Sequence, residues 1–244
     1  MNKKDFIFYG VVTVILAIMF YQNVRMESRL SDMEERNKMT TTKVALPDSF
    51  DYVMNRFKLY NENIDTNTVV LFIKSIDYYS LNRKGVFDLL VGQILLESKA
   101  THIYPKGHAL AGSVVRGSSG EVGICQIMPS TALNYLRKMS EDDYSLYDIG
   151  ANDYSFVNDK SLSDNAKEKK IIEWLSRIEN NFALWGFIMH EGLEHNGMLE
   201  AFVIYNAGKG GMLRHRSSNG TVSQHKYIVG IRKTVKYLND VLLA

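Results

Sequence analysis

Residues 85–98 read Gly-Val-Phe-Asp-Leu-Leu-Val-Gly-Gln-Ile-Leu-Leu-Glu-Ser. Phe87, Leu90, Val91 and Ile94 recur at the three-and-four spacing of a helix with one apolar face, predicting a helix that begins near Gly85 and ends at Glu97. The same period appears upstream at Val69, Phe72, Ile73, Ile76 and Tyr79. Downstream it returns at Ile171, Trp174, Leu175, Ile178, Phe182, Trp185 and Met189, and again at Tyr227, Ile231, Val235, Leu238 and Leu242. No run alternates with period two. Asn219-Gly220 falls in a polar loop, and Asn196-Gly197 reads as a break between two helices. No internal repeat is visible. The fold class expected is mainly α.

The chain has 244 residues, 45% hydrophobic and 23% charged, an ordinary globular balance. Twenty-nine Lys and Arg against 27 Asp and Glu leave a net charge of +2, which disfavours nucleic acid as the partner. One cysteine, Cys125, rules out an intrachain disulfide and a multi-cysteine zinc site, and neither HExxH nor CxxC occurs.

Lys3 and Lys4 precede a low-charge apolar run over residues 6–21, after which Arg25, Glu27 and Arg29 restore charge. As a helix the run would span about 24 Å, short of the ~30 Å hydrocarbon core, with a snorkelling Lys4 and an interfacial Tyr21 making up the difference. Residues 1–24 are therefore read as a signal-anchor segment that carries the body out of the cytoplasm. A cleaved signal peptide is the rival, but 17–21 hold no small-x-small site; a buried soluble helix is the third reading. Residues 25–48 are polar and read as a helical or flexible stalk. The folded body is assigned to 49–244, with 140–170 a polar surface excursion or short irregular surface helices.

Glu97 falls on the stripe of Leu90 and Ile94. Burial there disfavours the charged carboxylate and raises its pKa, the condition a general acid needs near neutral pH. The plainer reading is a helix-terminal Glu snorkelling into water. Gly120 and Gly123 bound a loop that runs through Gln126 into a helix with Pro129 in its first turn. Glycines allow close backbone approach to a ligand, and Gln126 offers both a donor and an acceptor; the alternative is simply a packed helix start. Residues 201–208 form a short apolar helix ending at Tyr205-Asn206-Ala207-Gly208, on its own an ordinary helix stop.

Taken in order, Glu97-Ser98, then Gly123-Ile124-Cys125-Gln126-Ile127-Met128-Pro129-Ser130-Thr131-Ala132, then Tyr205-Asn206-Ala207-Gly208, then Tyr227-Ile228-Val229 resemble the catalytic domain of the soluble-lytic-transglycosylase family over about 65–240. The resemblance implies a lysozyme-like domain that cleaves the glycan of bacterial peptidoglycan between N-acetylmuramic acid and N-acetylglucosamine. It implies no metal or organic cofactor. Position by position, Glu97 matches the catalytic acid/base and Ser98 the serine that supports it. Gln126, Tyr205, Asn206 and Tyr227 match the substrate-binding cleft, and Asn181 resembles a structural asparagine that opens a helix behind the site. Two departures stand out: Cys125 where the family usually has methionine, altering the cleft floor, and a longer connection between Ala132 and Asn181.

The implied chemistry needs one carboxyl group, the substrate's own N-acetyl carbonyl relieving charge at the sugar and the muramic-acid 6-hydroxyl closing a 1,6-anhydro product. Two other readings stay open. Glu121, in the loop before Gly123, would make the enzyme a hydrolytic muramidase if it activated water; a solvated loop charge is the plain alternative. A noncatalytic wall-docking module would keep the fold without the reaction. Lys209, Arg214, His215, Arg216, His225 and Lys226 form a basic cluster read either as a contact for acidic stem peptides or as a solvated flexible loop. His190 and His195 beside Glu191 and Glu194 match no common metal spacing. Trp174 and Trp185 are assigned to the core, and Cys125 to a buried small hydrophobe. The biological settings such an enzyme fits are wall remodelling, a secretion or conjugation apparatus, and a bacteriophage breaching the envelope.

Overall fold

A computed structural model describes residues 46–83, 85–139, 154–218 and 221–242, all within the unit Ala45–Ala244. The signal-anchor and most of the stalk assigned from sequence, residues 1–45, lie outside these, as do Asn219-Gly220 and 140–153. Among the described residues there are eight α-helices: α1 Leu46–Lys58, α2 Thr66–Tyr78, α3 Phe87–Ser98, α4 Pro129–Leu136, α5 Asp164–Leu175, α6 Ile178–His195, α7 Met198–Ser217 and α8 Lys226–Leu242. None is long and apolar enough to cross a membrane. The fold is mainly α, as the helical periods predict.

The helix starts follow local chemistry. The Asp65 carboxylate accepts from Thr68 N–H at 2.6 Å and caps α2, and the Ser163 hydroxyl caps α5 through Ala166 N–H at 3.3 Å. Pro129 stands in the first turn of α4, where its missing N–H costs nothing. The helix break expected at Asn196-Gly197 separates α6 from α7.

Helix α3 runs along α8, α6 lies against α2 and α7, and α4 bridges α5 and α6. Phe72 of α2 stacks on Trp185 of α6 at 5.4 Å and meets Phe182 and Phe57 edge-on. Trp174 and Trp185 are buried, as their stripe requires. Gly92 explains how close α3 and α8 run: a Cβ there would stand 2.7 Å from Val235 Cγ2. That approach brings the C-terminal end of α3 beside the N-terminal end of α8.

Residues 99–128, between α3 and α4, are not helical. They fold as a small lobe carrying isolated antiparallel bridges, Ile103 with Val114, Arg116 with Val122, and Val122 with Ile127. The chain leaves α3 through two consecutive left-handed residues, Lys99 and Ala100 (φ 55° and 53°). For residues with a Cβ this costs about 1–3 kcal/mol each, and strain of this kind gathers at functional sites.

Three expectations change. Residues 140–170 are not merely a surface excursion: Phe156 and Val157 are buried, 164–170 belong to α5, and the buried Lys167 ammonium donates to Val157 O at 3.3 Å. The stop expected at Gly208 is a break (φ 68°, ψ 168°) from which the helix resumes, so Lys209, Arg214, His215 and Arg216 ride on α7 rather than on a loop. The folded unit begins before residue 49: its first helix opens at Leu46 and runs across the boundary drawn at 48 and 49.

Candidate active site

Glu97 is the penultimate residue of α3, and its carboxyl group is turned inward against the protein. Burial pushes its pKa from 4.5 up to about 7; the Tyr227 hydroxyl pulls it down, and the nearby Glu121 carboxylate raises it further. The Tyr227 hydroxyl donates to Glu97 Oε1 from the first turn of α8. Burial also keeps the Tyr227 phenol protonated, so it remains a donor throughout the physiological range.

Glu97, Glu121, Gln126, Ile127, Met128, Thr131, Tyr205 and Asn206 enclose a cavity of about 60 Å³. That volume suits an acetamido group or a pair of waters, since each water takes up ~30 Å³ in the liquid. The cavity continues into a groove of about 400 Å³, a ligand-sized space between α4, α6 and α7, through the shared Met128, Thr131, Tyr205 and Asn206.

The loop 123–126 is built to tight tolerances. Gln126 adopts φ 52° and its side-chain amide donates to Gly123 O at 2.7 Å. A Cβ on Gly117 would overlap both the Glu121 carboxylate and the Gln126 carboxamide, so these two polar groups crowd one point at the cavity rim. Glu121 also accepts from Ser119 N–H at 3.0 Å. The Tyr205 hydroxyl donates to Cys125 O at 2.6 Å, tying α7 to this loop, and burial keeps that phenol protonated as well.

Glu97, Gln126, Tyr205 and Asn206 therefore share one cavity, and Tyr227 reaches it through Glu97. Ser98 does not join them. Its hydroxyl donates to Ile94 O at 3.3 Å, one turn back in its own helix, because a helix end leaves short polar side chains beside the i−4 carbonyl. Cys125 is fully buried and absent from the cavity lining, so the cleft floor is not altered by its side chain; only its carbonyl serves the site. Asn181 is fully buried in the first turn of α6, accepting from Cys125 N–H at 2.8 Å and donating to Val122 O at 3.0 Å and Leu175 O at 3.2 Å. It holds the loop from behind.

Two residues escaped the sequence reading. Gln93 is fully buried one turn before Glu97, its side-chain oxygen accepting from Trp185 Nε1 at 3.3 Å; its amide nitrogen lies toward the Tyr227 hydroxyl without a hydrogen-bond partner among the described residues. Its polar side chain on an apolar helix stripe was the available signal. His102 is nearly buried behind the loop, and no local pattern marks it.

The two histidines of α6, of which His195 lines the groove, have ordinary partners. His190 Nδ1 faces Tyr79 O at 3.2 Å and His195 faces Glu191 at 3.8 Å. Among the described residues no three His, Cys, Asp or Glu side chains are grouped as metal ligands. No protein-family model, curated protein or solved structure matches the chain.

Proposed function

We propose that the chain is a lytic transglycosylase with a lysozyme-like catalytic domain, acting on the glycan strands of bacterial peptidoglycan and tethered to the membrane through residues 6–21. The observation that carries this reading is a half-buried carboxyl group at a helix end, its pKa raised to about 7, facing a cavity shared with Gln126 and Tyr205. Such a group is protonated often enough at neutral pH to act as an acid, and becomes a usable base once it has given its proton away.

In the reaction, protonated Glu97 donates to the glycosidic oxygen. The bond to the anomeric carbon breaks, and the departing sugar keeps the proton as a hydroxyl. The N-acetyl carbonyl oxygen of the muramic acid bonds to the anomeric carbon and carries the positive charge as an oxazolinium. Ionised Glu97 then takes the proton of the 6-hydroxyl as that oxygen displaces the acetamido oxygen. The 1,6-anhydro ring closes, Glu97 is protonated again and no water is consumed. The Tyr227 hydroxyl donates to one Glu97 oxygen and leaves the other to handle the proton. Gln126, Tyr205 and Asn206 line the space for the acetamido group, and the larger groove takes the continuing strand.

A second reading is favoured by one observation: Glu121 lines the same cavity as Glu97. A second carboxylate beside a bound water converts the chemistry to hydrolysis, with a reducing muramic acid as the product. Mass spectrometry of sacculi digested with the purified chain separates the readings. Anhydro-muropeptides lost in Glu97→Gln support transglycosylation, reducing ends lost in Glu121→Gln support hydrolysis, and sacculus binding without any soluble product overturns both.

A further inference from the structure

We propose that His102 is the positioning residue that holds the cleft loop in register with Glu97, and that protonation of its ring releases the loop. The imidazole sits four residues beyond the end of α3, 9% exposed. Its Nδ1 accepts the Ile124 N–H at 3.1 Å, and its Nε2 donates to Ser176 O at 2.8 Å. Both partners are backbone groups with fixed roles, because an amide N–H only donates and a carbonyl only accepts. The ring must therefore be neutral, bare at Nδ1 and protonated at Nε2. In that state it links the loop to the residue that ends α5.

The next amide along is held the same way, Cys125 N–H by the Asn181 side chain at 2.8 Å. Two buried side chains from different parts of the fold thus grip successive N–H groups of one turn. Gly123 lies between them, where a Cβ would fall 2.8 Å from the His102 ring and 2.6 Å from the Asn181 amide. Site geometry depends on this turn: Cys125 O receives the Tyr205 hydroxyl, and Gln126 enters the cavity from its left-handed backbone. A proton on Nδ1 would set donor against donor at Ile124. Rotating the ring does not help, since the charged imidazole has no acceptor left.

The groups around the ring oppose one another. Burial disfavours its charged form, while the Ser176 carbonyl and Glu179 in the first turn of α6 favour it; burial prevails, and its pKa lies below the usual 6.5. On the other side, Glu62, Asp65, Tyr60 and Tyr104 line a cavity of about 540 Å³ that His102 also borders. The consequence for activity rests on the transglycosylase reading. A single carboxyl that must start protonated gives only an alkaline limb in kcat/KM, so a decline on the acid side belongs to another group, and the structure assigns it to His102.

The test uses the purified chain of 244 residues. Release of anhydro-muropeptides from sacculi is followed from pH 4 to 9 in the wild type, His102→Asn and Glu121→Gln, and the Ile124 amide and His102 ring nitrogens of the wild type are followed by NMR over the same range. Asn offers an acceptor near the place of Nδ1 and cannot titrate. The expected result is that wild-type kcat/KM falls roughly tenfold per pH unit on the acid side, that His102→Asn loses this limb while keeping neutral-pH activity within a few-fold, and that the Ile124 amide shifts with the His102 titration. An acid limb unchanged in His102→Asn, or abolished by Glu121→Gln instead, overturns the proposal. So does an Ile124 amide indifferent to the His102 titration, which also decides the matter if the Asn variant does not fold. A wild type that releases no product at any pH sinks the transglycosylase reading alone, and the NMR titration then still decides the clamp.

Discussion

The Tyr227 hydroxyl donates its hydrogen bond to Oε1 of Glu97, joining the last turn of α3 to the first turn of α8 across 130 residues of sequence. The bond favours the ionised carboxylate and so works against burial, which favours the protonated one. Their balance leaves the Glu97 pKa at about 7, where the proposed acid and base roles are both within reach. Removing the phenol hydroxyl tips this balance. In Tyr227→Phe the Glu97 pKa rises, and the alkaline limb of kcat/KM moves up by roughly one pH unit. A pH-rate profile on sacculi checks it; a limb that stays in place, or moves down, refutes the coupling.

Glu97→Gln is expected to lower activity by about 10²–10⁴-fold, and its effect on stability carries the sign of the pKa shift. A carboxyl whose pKa is raised from 4.5 to about 7 on folding adds stability below pH 4.5 that is lost as pH rises through 7. The loss is on the order of 3 kcal/mol. Glutamine resembles the protonated acid at every pH. The variant should therefore melt several degrees above the wild type at pH 8 and at the same temperature near pH 4, as calorimetry at the two pH values would show.

Asn181 satisfies one N–H and two carbonyls in a site without solvent exposure. Asn181→Ala strands all three and should cost about 3 kcal/mol or more. Asn181→Asp should be worse at neutral pH, since a carboxylate oxygen would then face the Val122 and Leu175 carbonyls. Urea denaturation of the two variants measures both the size of the loss and its order.

Cys125 is fully buried, and burial pushes its thiol well above the ordinary range. A thiol reagent such as Ellman's should leave the native chain untouched at pH 8 and react with one equivalent in urea. Cys125→Met enlarges a filled site and should destabilise by about 1–3 kcal/mol. A gain in stability would mean that the loop has slack the structure does not show.

Much of the site is legible from local pattern because its parts sit at helix ends. Glu97 is marked by an apolar stripe that it terminates, Pro129 by the first turn of α4, and Tyr205 by the glycine that breaks α7. Ser98 illustrates the limit. Adjacency to Glu97 in sequence suggests support, yet neighbours along a helix point about 100° apart, and the serine hydroxyl turns back to Ile94. The basic run 209–216 illustrates another: glycine-rich and charged, it reads as loop, but it resumes the helix after Gly208, and Arg216 pairs with Glu200 across that break.

The amino-acid order by itself determined the mainly α class, the helix that carries Glu97 in its last turn and the turn that presents Gln126, because hydrophobic period and glycine placement act over a few residues. Only the tertiary structure decided that Gln93, His102 and Asn181 are interior polar groups, that Cys125 lies behind the cleft, and that Glu121 shares the cavity with Glu97. Burial is a property of segments brought together from far apart in the chain. A polar side chain therefore reveals whether it is solvated or holds another group in place only once its distant neighbours have closed around it.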